Sequence, residues 1–119
     1  MKLYMHPVSM TCRPIRLFIA ENKIDCEEEM VDLMQGAHHQ EPYASLNPNR
    51  LVPMLVDGDL KLTESSAILK YLAEKSGKFY PSDPAGRAKV DQWLFYGSAT
   101  FTTLAQQFGH WAIRSPVKA

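Results

Sequence analysis

The apolar run at Leu3, Tyr4 and Met5 predicts a short β-strand over residues 2–6, ended by Pro7. Ile15, Phe18 and Ile19 then recur at helical spacing, which predicts a helix over 11–22. Pro14 fits only its first turn, so the helix starts near Met10 or Thr11. Residues 27–32 predict a second strand at a sheet edge, because Glu27, Glu28 and Glu29 would be costly in a sheet centre. Residues 36–46 predict a weak helix or helical loop, interrupted by Pro42. Met54, Leu55 and Val56, then Asp57-Gly58, then Leu60, Lys61 and Leu62 predict a hairpin with a type I′ turn. Thr63 is placed to cap a helix through Ile68 and Leu72 to about Ser76, with Gly77 at its C-terminus.

The order strand–helix–strand, helix, strand–strand–helix predicts a mixed four-stranded α/β sheet, parallel in its first half and antiparallel in its hairpin. Residues 78–84, with Pro81 and Pro84, read as a linker. Beyond them, residues 85–113 predict one helix roughly 40 Å long at about 1.5 Å per residue. Val90, Leu94, Phe101, Leu104, Phe108 and Trp111 form a stripe along it. Trp93, Phe95 and Ile113 put apolar groups on other faces as well, so a cover is needed.

Composition narrows the class. Thirteen Lys+Arg balance thirteen Asp+Glu in 119 residues, which argues against nucleic-acid or anionic-membrane binding. Hydrophobic residues at 45% and charged residues at 22% fit a soluble globular domain. Two cysteines, Cys12 and Cys26, are too few for a disulfide scaffold and suggest a reducing compartment. Residues 92–113 carry no Asp, Glu, Lys or Arg, yet Gln106, Gln107 and His110 make them poor material for a membrane span. The N-terminal residues show no signal-peptide pattern, and no metal-ligand spacing is present.

The candidate chemistry lies where predicted loops meet one edge of the sheet. It comprises SxxCR (Ser9 to Arg13), VDLxxGxH (Val31 to His38), NPxxxVPxL (Asn47 to Leu55), DGDxxLTESxAILxYL (Asp57 to Leu72) and RAxVDQWL (Arg87 to Leu94). In this order and spacing the motifs resemble the N-terminal domain of the cytosolic glutathione transferases, in particular the serine-type theta and delta classes. The resemblance runs from residue 2 to about 94. It implies a thioredoxin-like βαβ-α-ββα domain over 1–77, the linker at 78–84, and the truncated start of an all-helical domain over 85–119.

The resemblance also implies roles. Ser9 would donate its hydroxyl hydrogen to the thiolate of bound glutathione; lowering a thiol pKa by two units from about 8.5 takes roughly 2.7 kcal/mol. Ser9 as a plain helix cap is the alternative. Glu64 would meet the γ-glutamyl ammonium, and Ser65 with the helix-start N–H groups its carboxylate. Val52 would offer backbone N–H and C=O to the cysteinyl unit, beside a cis Pro53. His38 and Arg50 match positions serving the glycyl carboxylate, with a solvated surface arginine the alternative for Arg50. His39 has no matching role. Cys12, near a helix start beside Arg13, is either a buried structural thiol or a redox group for glutathione-disulfide exchange. Cys26 is expected in the core. Val8, Met10 and Thr11 would form one wall of an electrophile pocket.

Three readings follow: a transferase, whole or remnant, that conjugates glutathione to hydrophobic electrophiles; a non-catalytic glutathione-binding or protein-interaction module; and a thiol oxidoreductase using Cys12. The first carries further expectations of glutathione as co-substrate, no metal, a cytoplasmic homodimer, a detoxification role, and neither nucleic-acid nor membrane partners.

Overall fold

The computed structural model describes residues 1–114, with side chains described as far as Phe108. Strand β1 (Lys2–Met5) leads through α1 (Arg13–Glu21) to β2 (Glu27–Met30). A short 3₁₀ turn (Ala37–His39) and α2 (Tyr43–Leu46) precede the hairpin β3 (Met54–Asp57) and β4 (Leu60–Thr63), then α3 (Ser65–Ser76). The sheet order is β2-β1-β3-β4, with β2 parallel to β1 and the remaining pairs antiparallel. This is the predicted mixed sheet, with β2 at the predicted edge. Its glutamates find cations there: Lys2 Nζ lies 2.7 Å from Glu29 and Arg16 Nε 2.9 Å from Glu28.

The alternation along β1 sends Leu3 and Met5 to one face, where they meet Ile15 and Ile19 of α1 and Ile68 and Leu72 of α3. Leu55 and Cys12 complete this core. On the other face Tyr43 of α2 packs with Val31 and Met54. Cys26 is half-buried at the margin of the first core.

Three local expectations change. Asp57 pairs with Leu60, so the hairpin turn is Gly58–Asp59 rather than Asp57–Gly58. Only Gly58 (φ 58°) has positive φ, which suits type II′ and not type I′. Thr63 pairs with Met54 as the last residue of β4 and does not cap α3; Glu64 holds the cap position with φ 69°. Helix α1 starts at Arg13, with Pro14 in its first turn, two residues later than predicted.

The C-terminal helical path is continuous but not uniform. Helix α4 (Pro84–Tyr96) passes through a π-helical turn (Gly97–Phe101) into α5 (Thr102–Arg114). Asp83 caps α4 by accepting the Gly86 N–H at 2.7 Å. Lys70 and Tyr80 both bind Asp91, at 3.1 and 3.0 Å, and tie α4 to α3. Val90 and Leu94 are half-buried as the stripe predicts, but Phe101, Leu104 and Phe108 are 60–70% exposed. The wide turn accounts for this, because one extra residue moves the facing position from Phe101 to Thr102. Trp111 and Ile113 lie outside the residues whose side chains are described. Among the described residues, no helix is long and apolar enough to cross a membrane.

Candidate functional site

The β1–α1 loop, the α2–β3 loop, the β4–α3 junction and helix α5 converge on one cleft with two lobes. The first lobe, about 280 Å³, is lined by Pro53, Glu64 and Ser65, with Ser98 and Thr102 opposite. The second, about 580 Å³, is lined by Ser9, Met10, His38 and Arg50, with Ala105 opposite. Thr11, Leu51, Val52 and Gln106 line both lobes. All seven residues assigned by resemblance to glutathione or its thiol therefore border this cleft: Ser9, His38, Arg50, Val52, Pro53, Glu64 and Ser65. Met10 and Thr11, expected on one wall of an electrophile pocket, line this same cleft, whereas Val8 is 60% exposed and lies outside it.

Each wall has a local cause. The Val52–Pro53 bond is cis, as the resemblance implies; Glu41–Pro42 is also cis, and no sequence signal pointed to it. The preceding loop is held by two side chains the sequence reading left without a task. The Tyr43 hydroxyl donates to the Leu51 carbonyl at 2.5 Å, and Asn47 Nδ2 donates to the same oxygen at 2.8 Å. Asn47 Oδ1 also accepts the Asn49 N–H at 3.1 Å, and the Arg50 N–H closes the turn onto the Asn47 carbonyl. Arg50 takes φ 55° to complete that turn. The Asn-Pro of the third motif was the available signal.

At the β4–α3 junction, the left-handed backbone of Glu64 turns the chain from strand to helix. No side chain caps α3, and its start at Ser65 borders the lobe that Glu64 and Ser65 line. Ser66 anchors this junction to the C-terminal helices: its hydroxyl lies 3.2 Å from the Leu94 carbonyl and 2.5 Å from the Ser98 hydroxyl.

Ser9 does not cap α1, whose N-cap position is Cys12 and has no side-chain cap; its Oγ accepts the Cys12 N–H just ahead of the helix at 3.3 Å. Its hydroxyl also lies 3.0 Å from that of Thr11, whose Oγ1 is 3.3 Å from the Val52 carbonyl oxygen. Cys12 is fully buried, and that burial pushes its thiol above the ordinary value against the smaller opposing effect of Ser9. His38 and His39 have ring centroids 3.9 Å apart, and His38 Nδ1 is enclosed without a hydrogen-bond partner. Burial, and secondarily His39, pulls His38 below the usual imidazole value.

The arrangement puts a carboxylate, a hydroxyl and the uncapped start of α3 beside one lobe. It puts a serine hydroxyl and two basic side chains in the other, with Val52, in the bend before β3, lining both. Such a cleft suits an elongated polar molecule that carries charge at both ends. Among the described residues, no group of three or more His, Cys, Asp and Glu is arranged to hold a metal ion.

Comparison with known proteins gives this geometry a lineage. The family model described as Glutathione S-transferase, N-terminal domain, matches residues 1–74. The chain belongs to the glutathione S-transferase family. It is 41% identical over 103 residues to human glutathione S-transferase theta-1, covering 84% of this chain and 43% of that relative. Dichloromethane dehalogenase of Methylophilus leisingeri is 35% identical over 116 residues, covering 94% of this chain and 43% of the relative. Among solved structures, human glutathione transferase theta-2 in complex with glutathione and an unknown ligand superposes with a TM-score of 0.76 at 38% identity. That match covers 82% of this chain and 41% of the other. The chain thus spans less than half the length of these family members.

Proposed function

We propose that this chain is the glutathione-binding portion of a glutathione transferase that activates the glutathione thiol for attack on a hydrophobic electrophile. The observation that carries this is the meeting of Ser9, His38, Arg50, Val52, Pro53, Glu64 and Ser65 around one cleft. On this reading Glu64 takes the γ-glutamyl ammonium, while Ser65 and the uncapped start of α3 take the adjoining carboxylate. Val52, just ahead of β3, offers its backbone N–H and C=O to the cysteinyl unit. His38 and Arg50 take the glycyl carboxylate.

Ser9 then donates its hydroxyl hydrogen to the sulfur. The thiol proton leaves to solvent, and the hydrogen bond to the anion supplies part of the roughly 2.7 kcal/mol that two pKa units require. The thiolate forms a sulfur–carbon bond to the electrophile as the leaving group departs with its electron pair. The theta-2 complex with glutathione supports the co-substrate. The bond from Cys12 N–H does not compete with this role of Ser9, since one hydroxyl can accept from Cys12 and donate to sulfur. The exchange reading of Cys12 requires an accessible, readily ionised thiol, which full burial and a raised pKa oppose.

The same reading includes the 1–77, 78–84 and 85–119 organisation, a cytoplasmic detoxification role, and a homodimer. Exposed Trp93, Phe95, Phe101 and Leu104 along α4 and α5 support the dimer, because soluble monomers seldom leave large apolar surfaces uncovered. A monomer in sedimentation at every concentration contradicts that part.

Calorimetric titration with glutathione, followed by turnover of an aromatic chloride, tests the whole. Saturable binding, weakened about tenfold by Glu64→Ala (about 1.4 kcal/mol), supports the proposal. Absence of binding, or binding indifferent to Glu64, refutes it.

A further inference from the structure

The cleft holds two hydroxyls in contact where thiolate stabilisation calls for one. Ser9 Oγ and Thr11 Oγ1 are 3.0 Å apart, and Thr11 Oγ1 is also 3.3 Å from the Val52 carbonyl oxygen. Each hydroxyl has one hydrogen to give and two lone pairs to receive. Two arrangements of the pair therefore exist. When Thr11 donates to Val52, it is left as an acceptor and draws the Ser9 hydrogen toward itself. When Thr11 donates to Ser9, the Ser9 oxygen accepts two hydrogens, from Cys12 N–H and from Thr11. Its own hydrogen then has no partner among the described residues and is free for the cleft.

We propose that Thr11 is a positioning residue for the thiolate, switching its donated hydrogen bond from the Val52 carbonyl to Ser9 when glutathione is bound. The switch matches what the ligand needs at both ends of Thr11. It frees the Val52 carbonyl for the cysteinyl N–H, and it aims the Ser9 hydrogen at sulfur. A hydroxyl that accepts two hydrogen bonds is also a better donor, because successive bonds in a low-dielectric site polarise one another. Thr11 lines both lobes, so it lies where the cysteinyl unit would run. No bond to carbon or sulfur is made or broken by Thr11. The inference rests on the role proposed above for Ser9.

The test is the thiol pKa of bound glutathione, followed through thiolate absorbance in the parent chain and in Thr11→Val, Thr11→Ser and Ser9→Ala. Thr11→Val keeps the shape and removes the hydroxyl; it should raise the bound thiol pKa by about half a unit to one unit. Thr11→Ala, a second deletion of the hydroxyl, should follow it. Thr11→Ser keeps the hydroxyl and should stay near the parent. S-methylglutathione, which has no thiol to ionise, serves as the control ligand that separates an effect on binding from an effect on the thiolate. Adding Thr11→Val to Ser9→Ala should produce no further shift, since Thr11 acts through Ser9. The inference alone falls if Ser9→Ala moves the pKa while Thr11→Val and Thr11→Ala do not. It falls likewise if Thr11→Ser shifts the pKa as far as Thr11→Val, or if Thr11→Val still shifts it in the Ser9→Ala background. A parent that does not bind glutathione, or a pKa untouched by Ser9→Ala, overturns the functional reading and this inference with it.

Discussion

The Tyr43 hydroxyl donates a 2.5 Å hydrogen bond to the Leu51 carbonyl oxygen, so α2 holds the loop that presents Val52 to the cleft. Burial pushes the Tyr43 phenol above its ordinary value, which keeps it a donor throughout the physiological range. Asn47, only 2% exposed, binds the same oxygen and the Asn49 N–H.

Removing these anchors should loosen the Val52 edge. Asn47→Ala leaves buried polar groups unpaired and is expected to cost about 1–3 kcal/mol of folding stability; Tyr43→Phe should cost about 1 kcal/mol. Both should weaken glutathione binding without shifting the thiol pKa of whatever glutathione remains bound. Denaturant unfolding alongside calorimetric binding measures this. Full stability in Asn47→Ala would show that the loop holds its form by other means.

What could be read from the chain, and what could not, divides along a physical line. The order of elements along the chain, the edge position of Glu27 to Glu29 and the helix-face residues Ile15, Ile19, Ile68 and Leu72 follow from periodicity and charge, which are local signals. The cleft residues were legible only through the family resemblance that the motifs carry. The hairpin turn was misplaced by one residue because register depends on which residues pair across strands, as Asp57 with Leu60. Thr63 lost its cap role for a similar reason: β4 keeps it, and Glu64 absorbs the turn in left-handed backbone. The exposure of Phe101 and Leu104 follows from the π-helical turn at Gly97–Phe101, and a simple helical period does not foresee that turn.

His38 gives the fold a pH dependence of known sign. Its folded value is lowered by burial and by His39, so the unfolded chain binds the proton more readily. Stability therefore rises with pH in the window just below the ordinary imidazole value of 6.5, and is lost as pH falls through that window. His38→Gln should flatten this part of a melting-temperature profile. A profile with the same slope in parent and variant would assign the effect to other groups.

Cys12 should behave as a core thiol. Native protein treated with iodoacetamide near neutral pH should remain unmodified at Cys12 and react there once denatured, because the thiol is both enclosed and raised in pKa. Peptide mapping after labelling checks this. Rapid native modification of Cys12 would revive a redox role for it.

The central claim is that Ser9 stabilises a thiolate in this cleft, and the bound glutathione thiol pKa in parent and Ser9→Ala measures that most directly. The parent is predicted to hold the thiol well below the ordinary value of about 8.5, and Ser9→Ala to raise it by at least about one unit with glutathione still bound. A parent value at the ordinary thiol level, or an identical value in Ser9→Ala, would contradict the account.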